Sequence, residues 1–299
     1  MGHIAPRKIN AIKEKYMATF QNRATLSFNG GSTDSNTVTG TFIETLSVSK
    51  TATREQYAEG TLITYAVSLV NSGTTSFTGL TVTDDLGAYD FNGATVYPLV
   101  YEDGSLLYYI NGVLQADPTV EAGPPLAFTG ISVPAGGNTM IIYSVFVGDA
   151  APPEVGGSVI NTVTVTGAGL AEPITASETV FAINEPALNI TKALSPTAVP
   201  ENGTITYTFV ISNSGNTEAV ATDNLVVTDV FDPILNITSV TLNGVPLEEG
   251  TGYTYNETTG EFATVQSVIT VPAATYTRQP DGSYVTVPGE ATLVVVGTL

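Results

Sequence analysis

The chain has 299 residues, 28 acidic against 9 basic side chains, a net charge of −19, no cysteine, no tryptophan and a single histidine, His3. Without cysteine, a thiolate nucleophile, a cysteine zinc site, an iron-sulfur cluster and a disulfide framework are all excluded, and with the only imidazole at position 3, in a leader segment, neither a Ser-His-Asp triad nor a histidine-rich metal site is expected. So negative a chain repels phosphate backbones and lacks the basic stripe of nucleic-acid binders, so nucleic acid is not an expected partner.

Residues 1–16 form a basic arm, with Arg7, Lys8, Lys13 and Lys15 against Glu14, which leaves −22 on the remainder. Residues 9–20 (INAIKEKYMATF) place Ile9, Ile12, Tyr16 and Phe20 three or four apart, the spacing of a helix, although an unstructured leader fits equally. No apolar stretch is long enough for a bilayer and no basic-apolar-small pattern opens the chain, so neither membrane insertion nor a signal peptide is expected. From residue 17 onward, runs rich in Val, Ile, Thr, Tyr and Phe alternate with Asn-Ser-Gly, Gly-Gly and Pro-containing turns, which predicts an all-β body. At 42% apolar composition that body can bury cores, and its length suggests two domains.

An internal repeat sets the organisation. LSVSKTA at 46–52 matches LNITKAL at 188–194, and EGTLITYAVSLVNSG at 59–73 matches ENGTITYTFVISNSG at 201–215. LTVTD at 80–84 then matches LVVTD at 225–229, and TMIIYSVF at 139–146 matches TLVVVGTL at 292–299. The first copy continues through NTVTVTG at 161–167 and SETVFAI at 177–183, whereas the second stops at Leu299 without a counterpart of residues 147–187. A hairpin like the missing one stands at the other end: NRATLSFNGG at 22–31 reads like NTVTVTGAG at 161–169, and NTVTGTFIETLSVSK at 36–50 like ETVFAINEPALNITK at 178–192. The expected units are an arm at 1–16, a donor hairpin at 17–45, a complete sandwich at 46–187 and a sandwich lacking its last hairpin at 188–299.

A sandwich without two strands exposes backbone groups and core that a partner must cover. Alternation gives the hairpin an apolar face, and the expected subunit interface comprises Ala24, Leu26, Phe28, Val38, Phe42 and Ile43 on the donor with Leu293 and Val295 on the acceptor. Burying Leu26, Phe28, Val38 and Ile43 is worth on the order of 6–12 kcal/mol before ordering costs. A linker of about three residues reaches only roughly 10 Å, which disfavours self-completion. Donation to the next molecule is head-to-tail strand addition, and it builds an open filament unless it closes into a ring. The expected partner is therefore another copy of this chain.

Outside the arm, Lys50 and Lys192 are the two lysines, and they occupy one repeat position. Strand parity puts each on the core face, as it does Asp84, Asp229, Asn161 and Asn22. Burial lowers a lysine pKa and raises that of a carboxylic acid, conditions under which a neutral amine can attack an amide. The candidate bonds are Lys50–Asn161 assisted by Asp84, and Lys192 to Asn22 of the next subunit assisted by Asp229. A plain Lys-Asp-Asn polar cluster needs the same residues.

The motifs LxVxKTA, EGTxITYxVxLxNSG, LTVTD and NTVTV resemble the bacterial surface repeat known as the conserved repeat domain, domain of unknown function eleven. The resemblance implies immunoglobulin-like sandwiches used in tandem as stalks of cell-wall proteins and of appendages, including spore filaments, outside the cell. Isopeptide-forming pilin domains are similar in placing Lys on the first strand and Asn on the last.

Other features are weaker. Asp84 with Asp85, and the acids near Asp223 and Asp229, lack the ligand spacing of a calcium loop, so turn caps or solvated acids are the simpler roles and no metal or cofactor is expected. Tyr108, Tyr109 and Tyr276 could line a glycan site or pack in a sheet, and no glycan is named by the sequence. A monomeric adhesin stalk and a carboxylate-pair hydrolase are the rival readings, and no acid pair across a cleft stands out for the latter.

Overall fold

The structure, a computed structural model, describes residues 19–41 and 45–299. The basic arm, most of the helically spaced segment, Phe42 and Ile43 lie outside those residues. Thr19 and Phe20, at the end of that segment, are in a strand and not a helix.

The first four strands make one long hairpin: β1 (Thr19–Asn22), β2 (Thr25–Phe28), β3 (Gly31–Asp34) and β4 (Val38–Thr41). Asn29 and Gly30 close it in two residues, the connection that Asn-Gly favours by tolerating positive φ. Phe20 stands opposite Gly40, Asn22 opposite Val38, Leu26 opposite Thr33 and Phe28 opposite Gly31. Directly opposed residues share a face, so Phe20, Leu26, Phe28 and Val38 lie on one side. The other carries Thr19, Gln21, Thr25 and Ser27. A Cβ on Gly40 would sit 2.2 Å from the Phe20 ring, so glycine is what lets the ring lie across the partner strand. Among the described residues these strands pair only with one another, and their apolar side chains are half or more exposed, from 50% for Phe20 to 65% for Leu26.

Domain 1 follows with β5 (Leu46–Ala52), β6 (Gln56–Tyr57), β7 (Leu62–Asn71), β8 (Phe77–Asp84), β9 (Tyr89–Phe91), β10 (Ala94–Val96), β11 (Leu99–Tyr101), β12 (Leu107–Ile110), β13 (Val113–Leu114), β14 (Thr119–Glu121), β15 (Leu126–Val133), β16 (Asn138–Val147), β17 (Ser158–Thr166) and β18 (Ile174–Ala182). One sheet runs β13-β12-β16-β7-β5 and the other β14-β15-β8-β17-β18-β6. Their inward residues, among them Tyr65, Leu80, Phe128, Tyr143 and Val163, are fully buried in one core. This is the two-layer sandwich expected from alternating apolar runs.

Domain 2 has β19 (Leu188–Ser195), β20 (Thr204–Asn213), β21 (Thr228–Val230), β22 (Asn236–Leu242), β23 (Val245–Pro246), β24 (Tyr253–Tyr255), β25 (Glu261–Thr264), β26 (Thr275–Arg278), β27 (Tyr284–Val287) and β28 (Gly289–Thr298). One sheet, β19-β20-β28-β22-β23, repeats its domain 1 counterpart, but the other is only β21-β25-β24. Two details depart from the sequence matches. Of LVVTD at 225–229 only Thr228 and Asp229 are strand, because a 3-10 turn at Ala221–Asp223 and left-handed Asn224 displace what precedes them. The match of Thr139 to Thr292 is one residue off. Tyr65 pairs with Tyr143 and the equivalent Tyr207 with Val295, so Thr139 corresponds to Ala291; a one-residue slip would turn the core face outward.

The joint between the domains is built by an insertion. The turn Pro134–Asn138 of domain 1 is short, whereas its equivalent in domain 2, from Pro272 to Gly289, extends into the β26–β27 hairpin. Arg278 on this hairpin stacks on Phe91 at 3.8 Å and on Tyr89 at 5.0 Å from ring centroids, both in domain 1. The Tyr284 N–H donates to the Asp149 carbonyl at 2.8 Å, and Asn216 Nδ2 to the Pro153 carbonyl at 3.0 Å.

Candidate functional site: two lysine clusters and an open sheet edge

The alternation of β5 turns Lys50 inward beneath the facing sheet. Its Nζ lies 2.6 Å from Asp84 Oδ2, and both side chains are fully excluded from solvent. The Tyr143 hydroxyl donates to the same Asp84 oxygen, and the Leu86 N–H donates to Oδ1 at 2.8 Å. The ammonium also sits 4.6 Å from the Tyr65 ring centroid. Burial pulls the Lys50 pKa below its ordinary 10.5, against the opposing pull of Asp84 and, more weakly, of Asp85 and Glu178.

Asn161 completes the group. It lies on β17, two residues from Val163, the direct cross-strand partner of Asp84, and so on the same inward face. It is fully buried, and its side chain lies beside the Tyr65 hydroxyl beneath the lysine, a contact that lowers the Tyr65 pKa against the larger effect of burial; neither group has another hydrogen-bond partner. An unsatisfied buried polar group costs about 1–3 kcal/mol, so this amide is an expensive element of the core. The structure thus brings together Lys50, Asp84 and Asn161, the three residue types singled out by parity.

Domain 2 repeats half of this arrangement. Lys192 donates to Asp229 Oδ2 and lies 4.5 Å from the Tyr207 ring centroid, the counterpart of Tyr65. The Lys192 side chain is however 41% exposed. The cause is the abbreviated sheet: β8 is flanked by β15 and β17, whereas β21 is flanked by β25 alone. All eight residues of β19 are exposed, where Leu46 and Lys50 of β5 are buried. Leu188 and Ile190, in step with Lys192, present apolar side chains at this edge, while Val226 and Val230, out of step with buried Val227 and Phe231, are exposed on the outer face. Leu293 and Val295 lie on the central strand β28 and are fully buried within the chain's own core. Asn22, Ala24, Leu26, Phe28 and Val38 are all on the exposed hairpin.

A pair of asparagines that sequence reasoning passed over as turn residues is built identically in both domains. Asn71 Nδ2 donates to the carbonyls of Thr75 and Pro134, and its Oδ1 accepts from Gly73 N–H. Asn213 does the same with Thr217, Pro272 and Gly215. Both are buried, and Asn213 Oδ1 also accepts the Ala187 N–H at 2.9 Å, which fixes the chain entering domain 2. A Cβ at Gly215 would approach the Glu185 carbonyl to 2.2 Å, so this clamp requires glycine. The signal was the repeated Asn-Ser-Gly at 71–73 and 213–215.

The other candidates have local roles. Asp85 Oδ1 accepts from the Gly87 and Thr162 N–H groups, and Asp223 from Val220. Tyr108 is buried with its hydroxyl at Ser132, while the Tyr276 hydroxyl donates to Ser214. Among the described residues no group of three or more His, Asp or Glu side chains is placed to hold a metal ion, and no helix is long and apolar enough to cross a membrane.

No protein-family model matches the chain, and no curated protein matches it. The resemblance to the conserved repeat domain therefore rests on its motifs. Among solved structures, the chain is similar to BcpA, the major pilin subunit of Bacillus cereus, at 12% identity over 91% of this chain and 73% of that one, with a TM-score of 0.34. It is similar to the pilus backbone RrgB of Streptococcus pneumoniae at 13% identity over 84% and 49%, TM-score 0.32. It is similar to a family 123 glycoside hydrolase from Clostridium perfringens at 12% identity over 48% and 28%, TM-score 0.31. The chain thus spans about half of RrgB and less than a third of the hydrolase. These superpositions are loose, and the assignment of two β-sandwiches rests on the strand ladders themselves.

Proposed function

We propose that this chain is a structural subunit of a pilus-like surface filament, polymerising head-to-tail as each copy lays its N-terminal hairpin into domain 2 of its neighbour. The observation that carries the reading is a complementary pair of surfaces: a hairpin whose apolar face is half or more exposed, and a sheet edge with exposed Leu188 and Ile190 where domain 1 holds β17 and β18. Both are liabilities in a solitary molecule and cover one another in a pair. The connectivity is the one domain 1 already has with domain 2, repeated between molecules.

The same reading extends to covalent locking. In domain 1, Lys50 passes a proton to Asp84, and its neutral Nζ attacks Asn161 Cγ. The Nζ–Cγ bond forms, the Cγ–Nδ2 bond breaks, and Nδ2 leaves as ammonia with a second proton from Nζ, Asp84 keeping the first. The buried Asn161 amide and the low-lying Lys50 pKa support this step. The intersubunit equivalent joins Lys192 to Asn22 of the next copy, beside Asp229.

The test is electron microscopy of the full chain and of a chain lacking residues 1–45, followed by a boiled detergent gel. Fibres from the full chain alone are the expected result, with a ladder of multimers on the gel. Fibres from the shortened chain would overturn hairpin donation.

A further inference from the structure

The two lysine clusters differ at one inward position. Tyr65 and Tyr207 are equivalent, and their partners across the ladder are Tyr143 and Val295. Both partners are fully buried. Domain 1 therefore has a phenol hydroxyl on its aspartate where domain 2 has a methyl group.

Resting on the cross-linking reading, we infer that Tyr143 is a positioning residue that acts as a brake: by donating to Asp84 Oδ2 it holds the carboxylate in its charged form and slows Lys50–Asn161 bond formation, a restraint that the Lys192–Asp229 cluster lacks. Amine attack requires the Lys50 proton to move to Asp84. A hydrogen bond to the charged form of a carboxylate opposes its protonation. Lys50 and Tyr143 share Asp84 Oδ2, and the Leu86 N–H donates to Oδ1. The Asn161 carbonyl is correspondingly left without a donor. Burial keeps the Tyr143 hydroxyl protonated well past its ordinary range, so it remains a donor at every working pH. The ionisable groups facing the cluster are Lys50 from β5, Tyr65 from β7, Asp84 and Asp85 at the end of β8, Tyr143 from β16 and Glu178 from β18. Asp229 makes a different set of contacts: Lys192 at Oδ2 and the adjacent Val230 N–H at Oδ1.

The experiment follows ammonia loss by intact mass after cell-free synthesis of the full chain, with Asn22→Ala present so that only domain 1 can react. Tyr143→Phe is isosteric and removes only the hydroxyl. It should accelerate the loss by roughly tenfold or more, the effect on the barrier of removing one hydrogen bond to a charged group. Tyr65→Phe removes a hydroxyl that does not touch Asp84 and should give no such acceleration. A Tyr143→Phe chain that reacts at the parent rate or more slowly overturns the brake while leaving the bond itself standing. A parent chain and a Tyr143→Phe chain that both keep full mass would instead overturn the cross-linking reading, and the brake with it.

Discussion

Lys50 and Asp84 meet at 2.6 Å with both side chains fully buried, so neither charge has water to fall back on. Removing one partner strands the other. In a chain carrying Asn161→Ala, where the pair stays ionic, Asp84→Ala should cost domain 1 about 3–5 kcal/mol, the usual result of leaving an uncompensated buried charge. Urea unfolding of the variant measures this directly, and a loss under about 1 kcal/mol would show that the pair is wetter than its geometry.

The same burial makes stability depend on pH. In a chain carrying Asn161→Ala, which cannot cross-link, Lys50 keeps a titrating amine whose folded pKa lies below 10.5. Between those two values the unfolded chain holds a proton the folded chain has lost, so stability rises with pH. Tyr57, Tyr65 and Tyr143 are raised above 10.0, chiefly by burial, and have the opposite sign: their contribution is full below 10.0 and lost as pH climbs past it. Thermal melts should therefore show an optimum close to pH 10, and Lys50→Met should remove the rising side while leaving the falling side.

Assembly should depend on the apolar face of the hairpin. Leu26 and Phe28 are 65% and 59% exposed in the single chain. If they are covered on assembly, each contributes about 1.5–3 kcal/mol. Phe28→Asp should raise the critical concentration for polymerisation by at least roughly tenfold to a hundredfold, read by light scattering, while Ser27→Asp on the opposite face should change it little.

Lys192→Ala separates strand pairing from covalent locking. Fibres should still form, because the hairpin's apolar contacts are untouched, but they should fall to monomers in boiling detergent. Survival of a multimer ladder in this variant would place the intersubunit bond elsewhere.

Asn213 holds the entry to domain 2 through Thr217, Pro272, Gly215 and Ala187. Asn213→Ala strands several buried backbone groups and should lower domain 2 stability by about 2–4 kcal/mol. Chemical denaturation, with Asn71→Ala as the matched change in domain 1, checks whether the two clamps are worth the same.

Much of this was readable from spacing alone. The tandem repeat, the all-β body and the inward parity of Lys50, Asp84 and Asn161 follow from a period of two, which backbone geometry enforces residue by residue. What failed to show had no local signature. The helical spacing that ended at Phe20 was coincidental there, since Phe20 lies in β1 across from Gly40. The partners of Arg278, Tyr89 and Phe91, are far away in sequence and follow no pattern. The Asn-Ser-Gly repeats were visible, but a turn motif does not announce that its asparagine side chain is buried and bonded to distant carbonyls.

The insertion carrying Arg278 has a mechanical consequence. Within one chain the two sandwiches are pinned by a side chain wedged against Tyr89 and Phe91 and by a backbone bond to Asp149. The corresponding turn of domain 1, Pro134–Asn138, is too short to reach a preceding sandwich in the same way. In the filament proposed above, each copy would enter as a braced two-domain link, so that bending would collect at the junctions between copies and not within them.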